Sequence, residues 1–177
     1  GDVNFLENAL NDVHIRVREE ALNQMIQVGH IPSGLGGLQG ERIRQKWAKL
    51  KLPEMIESSD VNSIAELCVN PTASMRKIIA EHLDSADWFD WPEVIDAAKQ
   101  SKDSLLLPRL LRSKRGLVAD ELRLELLQQA DDVVRVRILE HLHGRDVSAP
   151  IASILPSLSE DSNPLVSQAA LSLINDT

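Results

Sequence analysis

A repeat constrains this 177-residue chain more than any other feature of its sequence. Met75, Leu106, Val136 and Val166 recur at almost equal intervals, and each opens an apolar stripe after a polar turn. One copy runs Asn70, Pro71, Met75, Arg76, Ile79, Ala80, Leu83, and another Asp131, Asp132, Val136, Arg137, Leu139, Leu142. The last is Asp161, Asn163, Pro164, Val166, Ser167, Ala170, Leu171, Ile174. A weaker copy, Asp103, Ser104, Leu106, Leu107, Leu110, Leu111, lies between, and an N-terminal one reads Asn11, Asp12, Val17, Arg18, Ala21, Leu22, Met25. A period of this length implies small units that bury their apolar faces by stacking on one another.

Each anchored stripe is preceded by a second one at the i, i+3, i+4, i+7 spacing of an amphipathic helix. These are Val61, Ile64, Leu67, Cys68; Val94, Ile95, Ala98; Leu122, Leu126, Leu127, Ala130; and Ile151, Ile154, Leu155, Leu158. The unit is therefore helix, turn, helix. Asp, Asn and Ser recur at the turns, where their side chains accept from the unpaired amides of a helix start. Pro71 and Pro164 suit a first helical turn, where no donor is needed. No stretch alternates apolar and polar residues for five positions, so strands are not expected. The expectation is an all-α chain of about five stacked units forming a single domain over 1–177, interrupted at about 29–52.

The Asp/Asn turn followed by Val-Arg and then Ala or Leu, at Asn11 to Met25 and Asn70 to Leu83, resembles HEAT repeats. The period is similar to that of the short bacterial HEAT-like repeats named after phycobilisome lyases, and the Asn70 to Arg76 copy is similar to leucine-rich-variant repeats. The resemblance spans roughly residues 5–28 and 60–175. The chain departs from the pattern at Leu107 and Ser167, where the Arg is missing, and at Pro108 inside a repeat helix. The resemblance implies a right-handed α-solenoid used mainly for protein–protein contact, and it does not imply a catalytic activity. It also implies that Arg18, Arg76 and Arg137 pair with turn Asp or Asn side chains of adjacent units.

Composition narrows the rest. The chain is 43% hydrophobic but only 3% aromatic, as thin aliphatic layers require. Its net charge of −8 argues against a dedicated nucleic-acid coat, which carries a basic footprint. Cys68, the single cysteine, excludes an internal disulfide framework and a multi-cysteine zinc site. His14, His30, His82, His141 and His143 lack metal-like spacing, so neither a metal nor a cofactor is expected. No apolar run approaches the roughly 20 residues of a membrane span, and no signal-like start is present; the expected location is cytoplasmic. The first residues, Gly1 and Asp2, are those expected of a fragment of a longer chain.

The period breaks between Val17 and Met75. Gly29, Gly34, Gly36, Gly37 and Gly40 crowd this stretch, which matches neither the dinucleotide fingerprint nor a phosphate loop. A basic helix follows, with Arg42, Arg44, Lys46, Lys49 and Lys51 around an apolar face of Ile43, Trp47 and Leu50. Either this helix simply solvates its basic face, or it docks an acidic partner. A second basic cluster is Arg109, Arg112, Lys114 and Arg115, and in-register stacking would place Arg76, Arg109 and Arg137 along neighbouring second helices. Trp88, Phe89 and Trp91 hold three of the five aromatics, as a plug between units or an exposed anchor. Cys68 lies on an apolar stripe and is expected to be an inert buried thiol.

The leading expectation is a non-catalytic scaffold or adaptor presenting a curved helical surface to a protein or peptide. The partner-binding candidates are Arg42, Arg44, Lys46, Trp47, Lys49, Trp88, Phe89, Trp91, Arg109, Arg112 and Arg115, with no catalytic residue among them. The alternatives are a DNA-binding or alkylation-repair enzyme of the HEAT-like type, a bilin lyase, and a regulatory segment of a larger protein. Charge is uneven: 54–70 and 146–177 contain no Lys or Arg, so a partner would read a patch rather than the whole field.

Overall fold

A computed structural model describes residues 2–34, 38 and 40–176, and the chain is all-helical among them, with eleven α-helices and no strand. In chain order these are α1 (Val3–Ala9), α2 (Ile15–Gln27), α3 (Glu41–Glu57), α4 (Val61–Val69), α5 (Ala73–Leu83), α6 (Pro92–Lys99), α7 (Leu106–Leu111), α8 (Leu117–Gln129), α9 (Asp132–Leu142), α10 (Ala149–Ser159) and α11 (Pro164–Asp176). One 3-10 turn, Trp88–Asp90, precedes α6.

The helix starts follow from local chemistry. Asp2, Asp60, Thr72 and Asp131 each accept a backbone N–H of the first turn of α1, α4, α5 and α9, satisfying donors that the helix cannot. Pro92 and Pro164 begin α6 and α11, where a missing N–H is harmless. Pro71 lies just outside α5, one residue before its cap, rather than in the first turn.

The helices pack in two rows. In one, α3 lies against α5, α5 against α7, α7 against α9 and α9 against α11. In the other, α4 packs on α6 and α8 on α10, while Lys99 at the end of α6 reaches Glu125 of α8 at 2.7 Å. A continuous aliphatic core fills the space, from Leu22 and Met25 through Ile64, Ile79, Leu83, Leu106, Leu127 and Ile138 to Ile151 and Val166. Each such side chain contributes about 1.5–3 kcal/mol through burial.

Polar contacts between units repeat the sequence period. Glu41 meets Thr72, Arg76 meets Asp103, Lys114 donates to the carbonyls of Asp84 and Ala86, and Asn163 donates to Asp132. Residues one period apart in sequence are therefore neighbours in space. At the N-terminus the offset shortens, in the pairs Arg42–Glu19 and His30–Glu7.

The irregular stretch resolves through α3. Trp47 falls midway between Val17 and Met75, one period from each, and α3 occupies the same row as α5. No helix occurs among the described residues between α2 and α3. Gly40 caps α3 at φ +98°, and a Cβ there would lie 3.5 Å from the Arg18 guanidinium. Gly36 and Gly37 lie outside the described residues. Trp47 is buried, and its indole N–H donates to the Pro32 carbonyl at 2.6 Å, tying the preceding segment to α3.

Candidate functional site: a basic recess on the second-helix row

The most concentrated chemistry lies where α5, α7 and α9 meet. α7 has six residues, whereas its neighbours in the row have eleven each. Pro108 stands in the first turn of α7, where its missing N–H breaks no helical bond. The C-terminal carbonyl of Leu111 receives the Arg123 guanidinium of α8 at 2.7 Å, and the same side chain reaches the Lys114 carbonyl and, at 2.7 Å, Asp120. Arg123 is 3% exposed, the one buried charged residue among the described residues. A short helix between two longer ones leaves a recess of about 320 Å³, lined by Ala73, Arg76, Lys77, Leu105, Arg109, Arg137 and His141.

Three carboxylates answer part of the positive charge. Arg76 donates to both Asp103 oxygens at 2.8 and 3.0 Å, Arg137 meets Glu140 at 3.2 Å, and Lys77 meets Glu81 at 3.9 Å. Arg109, Arg112, Arg115 and Arg145 have no carboxylate partner among the described residues. His141 is half-buried, and its Nδ1 has no hydrogen-bond partner. Burial, and then the field of Arg112, Arg137, Arg145 and Arg109, pushes its pKa down to about 4, so the imidazole is neutral at pH 7. Burial and the neighbouring Arg123, Arg115 and Arg112 also lower the pKa of Arg145. Uncompensated positive charge thus extends beyond the recess itself.

The two rows differ in charge. In the second-helix row, α3 holds five cations against three carboxylates, α5 two against one, α7 only Arg109, α9 two against two, and α11 Asp176 alone. In the opposite row α4 carries Glu66 alone, α6 two carboxylates against Lys99, and α8 three against Arg123.

The residues singled out from sequence fall into three groups. Arg76, Arg109 and Arg137 do converge, and Arg112 and Arg115 lie exposed just beyond α7. On α3, Arg42 is exposed and pairs with Glu19 at 3.3 Å, and Arg44 is exposed without an ion pair among the described residues. Lys46 and Lys49 border a separate groove of about 430 Å³ against α2, where Lys46 bonds to Asn23. The candidate aromatics Trp47, Trp88, Phe89 and Trp91 lie in or against the core, unlike exposed Phe5. Trp47 and Trp88 are 1% and 0% exposed, and Phe89 and Trp91 are half-buried against it, Phe89 stacking obliquely on Trp88 at 4.4 Å. Trp47 and Trp88 therefore offer no surface to a partner.

The inter-unit arginine ladder also differs from expectation. Arg76 pairs across units as expected, but in the next arginine-bearing unit the partner of Asp161 is Arg135, at 2.6 Å, not Arg137. Arg18 donates instead to the carbonyls of Asp12 and Val13 in its own turn. The two arginines that pair across units share their distance from the cap: Arg76 and Arg135 each stand four residues after Thr72 and Asp131. Arg135 also pairs with Asp132, and hydrogen bonds from its guanidinium hold the Asp132 and Asp161 carboxyls below the usual carboxylate range. Sequence reasoning does not find Arg123 as a structural key or His141 as part of a site, because nothing in their local sequence marks burial.

Two other possibilities are limited by geometry. Cys68 is fully buried and its thiol is pushed up to about 12 by burial, so it is no nucleophile at neutral pH. No group of three or more His, Cys, Asp or Glu side chains able to hold a metal occurs among the described residues, nor any helix long and apolar enough to cross a membrane. No family model, curated protein or solved structure matches the chain.

Proposed function

We propose that the chain is a non-catalytic interaction module, a HEAT-like α-solenoid whose second-helix row binds an acidic segment of another protein. The observation that carries this reading is the recess between α5, α7 and α9, where Arg109 faces Arg76, Lys77 and Arg137 with too few carboxylates to balance them. The two rows of helices and the contacts between residues one period apart support the solenoid reading. Interleaved Glu81, Asp103 and Glu140, with the overall charge of −8, favour a short acidic peptide over a polynucleotide, whose phosphates would meet those carboxylates at regular intervals. Arginine clusters of this kind suit acidic-motif recognition.

Fluorescence anisotropy with a labelled Asp/Glu-rich peptide tests the reading. The expected result is saturable binding that weakens with salt and falls at least tenfold in the double variant Arg109→Glu, Arg137→Glu. Equal binding of a neutral peptide, or no effect of the double variant, would count against it, as would preferential binding of duplex DNA.

A further inference from the structure

We propose that the recess between α5, α7 and α9 is a site for one compact dianion, the phosphoryl group of a phosphorylated segment in the partner; this rests on the acidic-partner reading above. A row of carboxylates is adequately met by exposed cations such as Lys46 and Lys49, which stay in water. The recess is different. Cations reach it from three helices, and Asp103 fixes the guanidinium of Arg76 by two hydrogen bonds. Once Asp103, Glu81 and Glu140 are set against Arg76, Lys77 and Arg137, the whole charge of Arg109 remains. Arg112 and Arg145 lie close enough for their charges to act on His141. With Arg109 they make three positive charges without a carboxylate partner among the described residues. That is more than the single charge of one carboxylate neutralises and enough for two negative charges on one group. Guanidinium forks also suit tetrahedral oxygens, donating two parallel bonds where an ammonium makes a point contact. At about 320 Å³ the recess accommodates a phosphoryl group together with the side chain that bears it.

His141 completes the site. It lies on the wall of the recess with an unpartnered Nδ1, kept neutral by burial and by the same arginines that would be neutralised by an arriving dianion. Binding then raises its proton affinity, and the ring gains a second N–H donor. Affinity for an anion that stays doubly charged, such as sulfate, rises as pH falls from the histidine pKa of the complex toward about 4, where the free site also becomes protonated.

The test compares three versions of one acidic peptide, bearing phosphoserine, serine or glutamate, by calorimetry on the full chain, with sulfate as a second probe read on the His141 imidazole by NMR. The expected results are phosphoserine binding at least tenfold tighter than glutamate, and a saturable sulfate shift at His141 with an upward move of its pKa. In Arg109→Gln the phosphoserine advantage should fall below about threefold, and Arg109→Lys should restore part of it. The same change at Lys102, an exposed cation that does not line the recess, should retain it (Lys102→Gln), with circular dichroism confirming that each variant folds. Equal affinity for phosphoserine and glutamate overturns the proposal while leaving the module reading intact. A phosphoserine advantage undiminished in Arg109→Gln, a sulfate shift that never saturates, or single-stranded oligonucleotide binding in place of the phosphopeptide would each overturn it too.

Discussion

His141 and Arg123 make opposite demands on the fold. His141 is neutral when folded, with a pKa of about 4, but titrates near 6.5 when the chain unfolds. The unfolded state therefore takes up the proton first as pH falls. Stability is complete above about 6.5 and is lost progressively between there and about 4. Because the ring is half in water, the loss is on the order of 1 kcal/mol rather than the full value of the shift. Thermal melts at pH 7 and pH 5 should show His141→Gln losing less stability over that interval than the native chain; an identical loss would show that the ring is not the group responsible. Asp132 and Asp161, held low by Arg135, contribute stability that is lost only as pH falls through the carboxylate range and below it, so the two effects occupy separate windows. Arg123 differs in kind, because its charge is buried and fully used. Replacing it with Met leaves the Leu111 and Lys114 carbonyls and Asp120 without their donor, and should cost about 2–4 kcal/mol in chemical denaturation. An unchanged denaturation midpoint would mean that water replaces the guanidinium freely.

At the level of helices, what could be read from sequence tracks how local each cause is. Caps and first-turn prolines act within four residues, so Asp131, Thr72, Pro92 and Pro164 mark their helix starts. The ladder arginine depends on register against a neighbouring unit, and aligning on the apolar anchor Val136 chooses Arg137 where the cap chooses Arg135. For α3 the cause is harder to see: with no helix among the described residues between α2 and α3, its copy of the repeat has no recognisable context, though Trp47 stands at the expected interval. Convergence of Arg76, Arg109 and Arg137 is legible from the period only in outline. Arg76 and Arg137 each follow their anchor by one residue, whereas Arg109 stands three after Leu106, so stacking brings their helices together without placing them at equivalent positions. The depth of the recess is not legible, since it follows from the six-residue length of α7. Trp47→Phe tests the tie between α3 and the segment before it. It keeps the buried ring but deletes the donor to Pro32, and should cost about 1 kcal/mol with faster hydrogen exchange at residues 31–34. Unchanged exchange there would mean that the indole hydrogen bond does not anchor the segment.

Across the whole molecule, the two rows divide the work that the net charge of −8 conceals. Carboxylates gather on α4, α6 and α8, while cations gather on α3, α5 and α7, so an acidic ligand is repelled from one row and drawn to the other. Trp88, Phe89 and Trp91, which sequence alone leaves open as anchors, pack into and against the core, so the proposed recognition rests on arginines instead. The most direct measurement is an amide chemical-shift map of the chain titrated with an Asp/Glu-rich peptide. Shifts should concentrate on α5, α7 and α9 around Lys77, Arg109 and Arg137, extend toward Lys46 and Lys49 of α3, and shrink with added salt. Shifts confined to α4, α6, α8 and α10, or none at saturating peptide, would contradict the assignment of binding to the second-helix row.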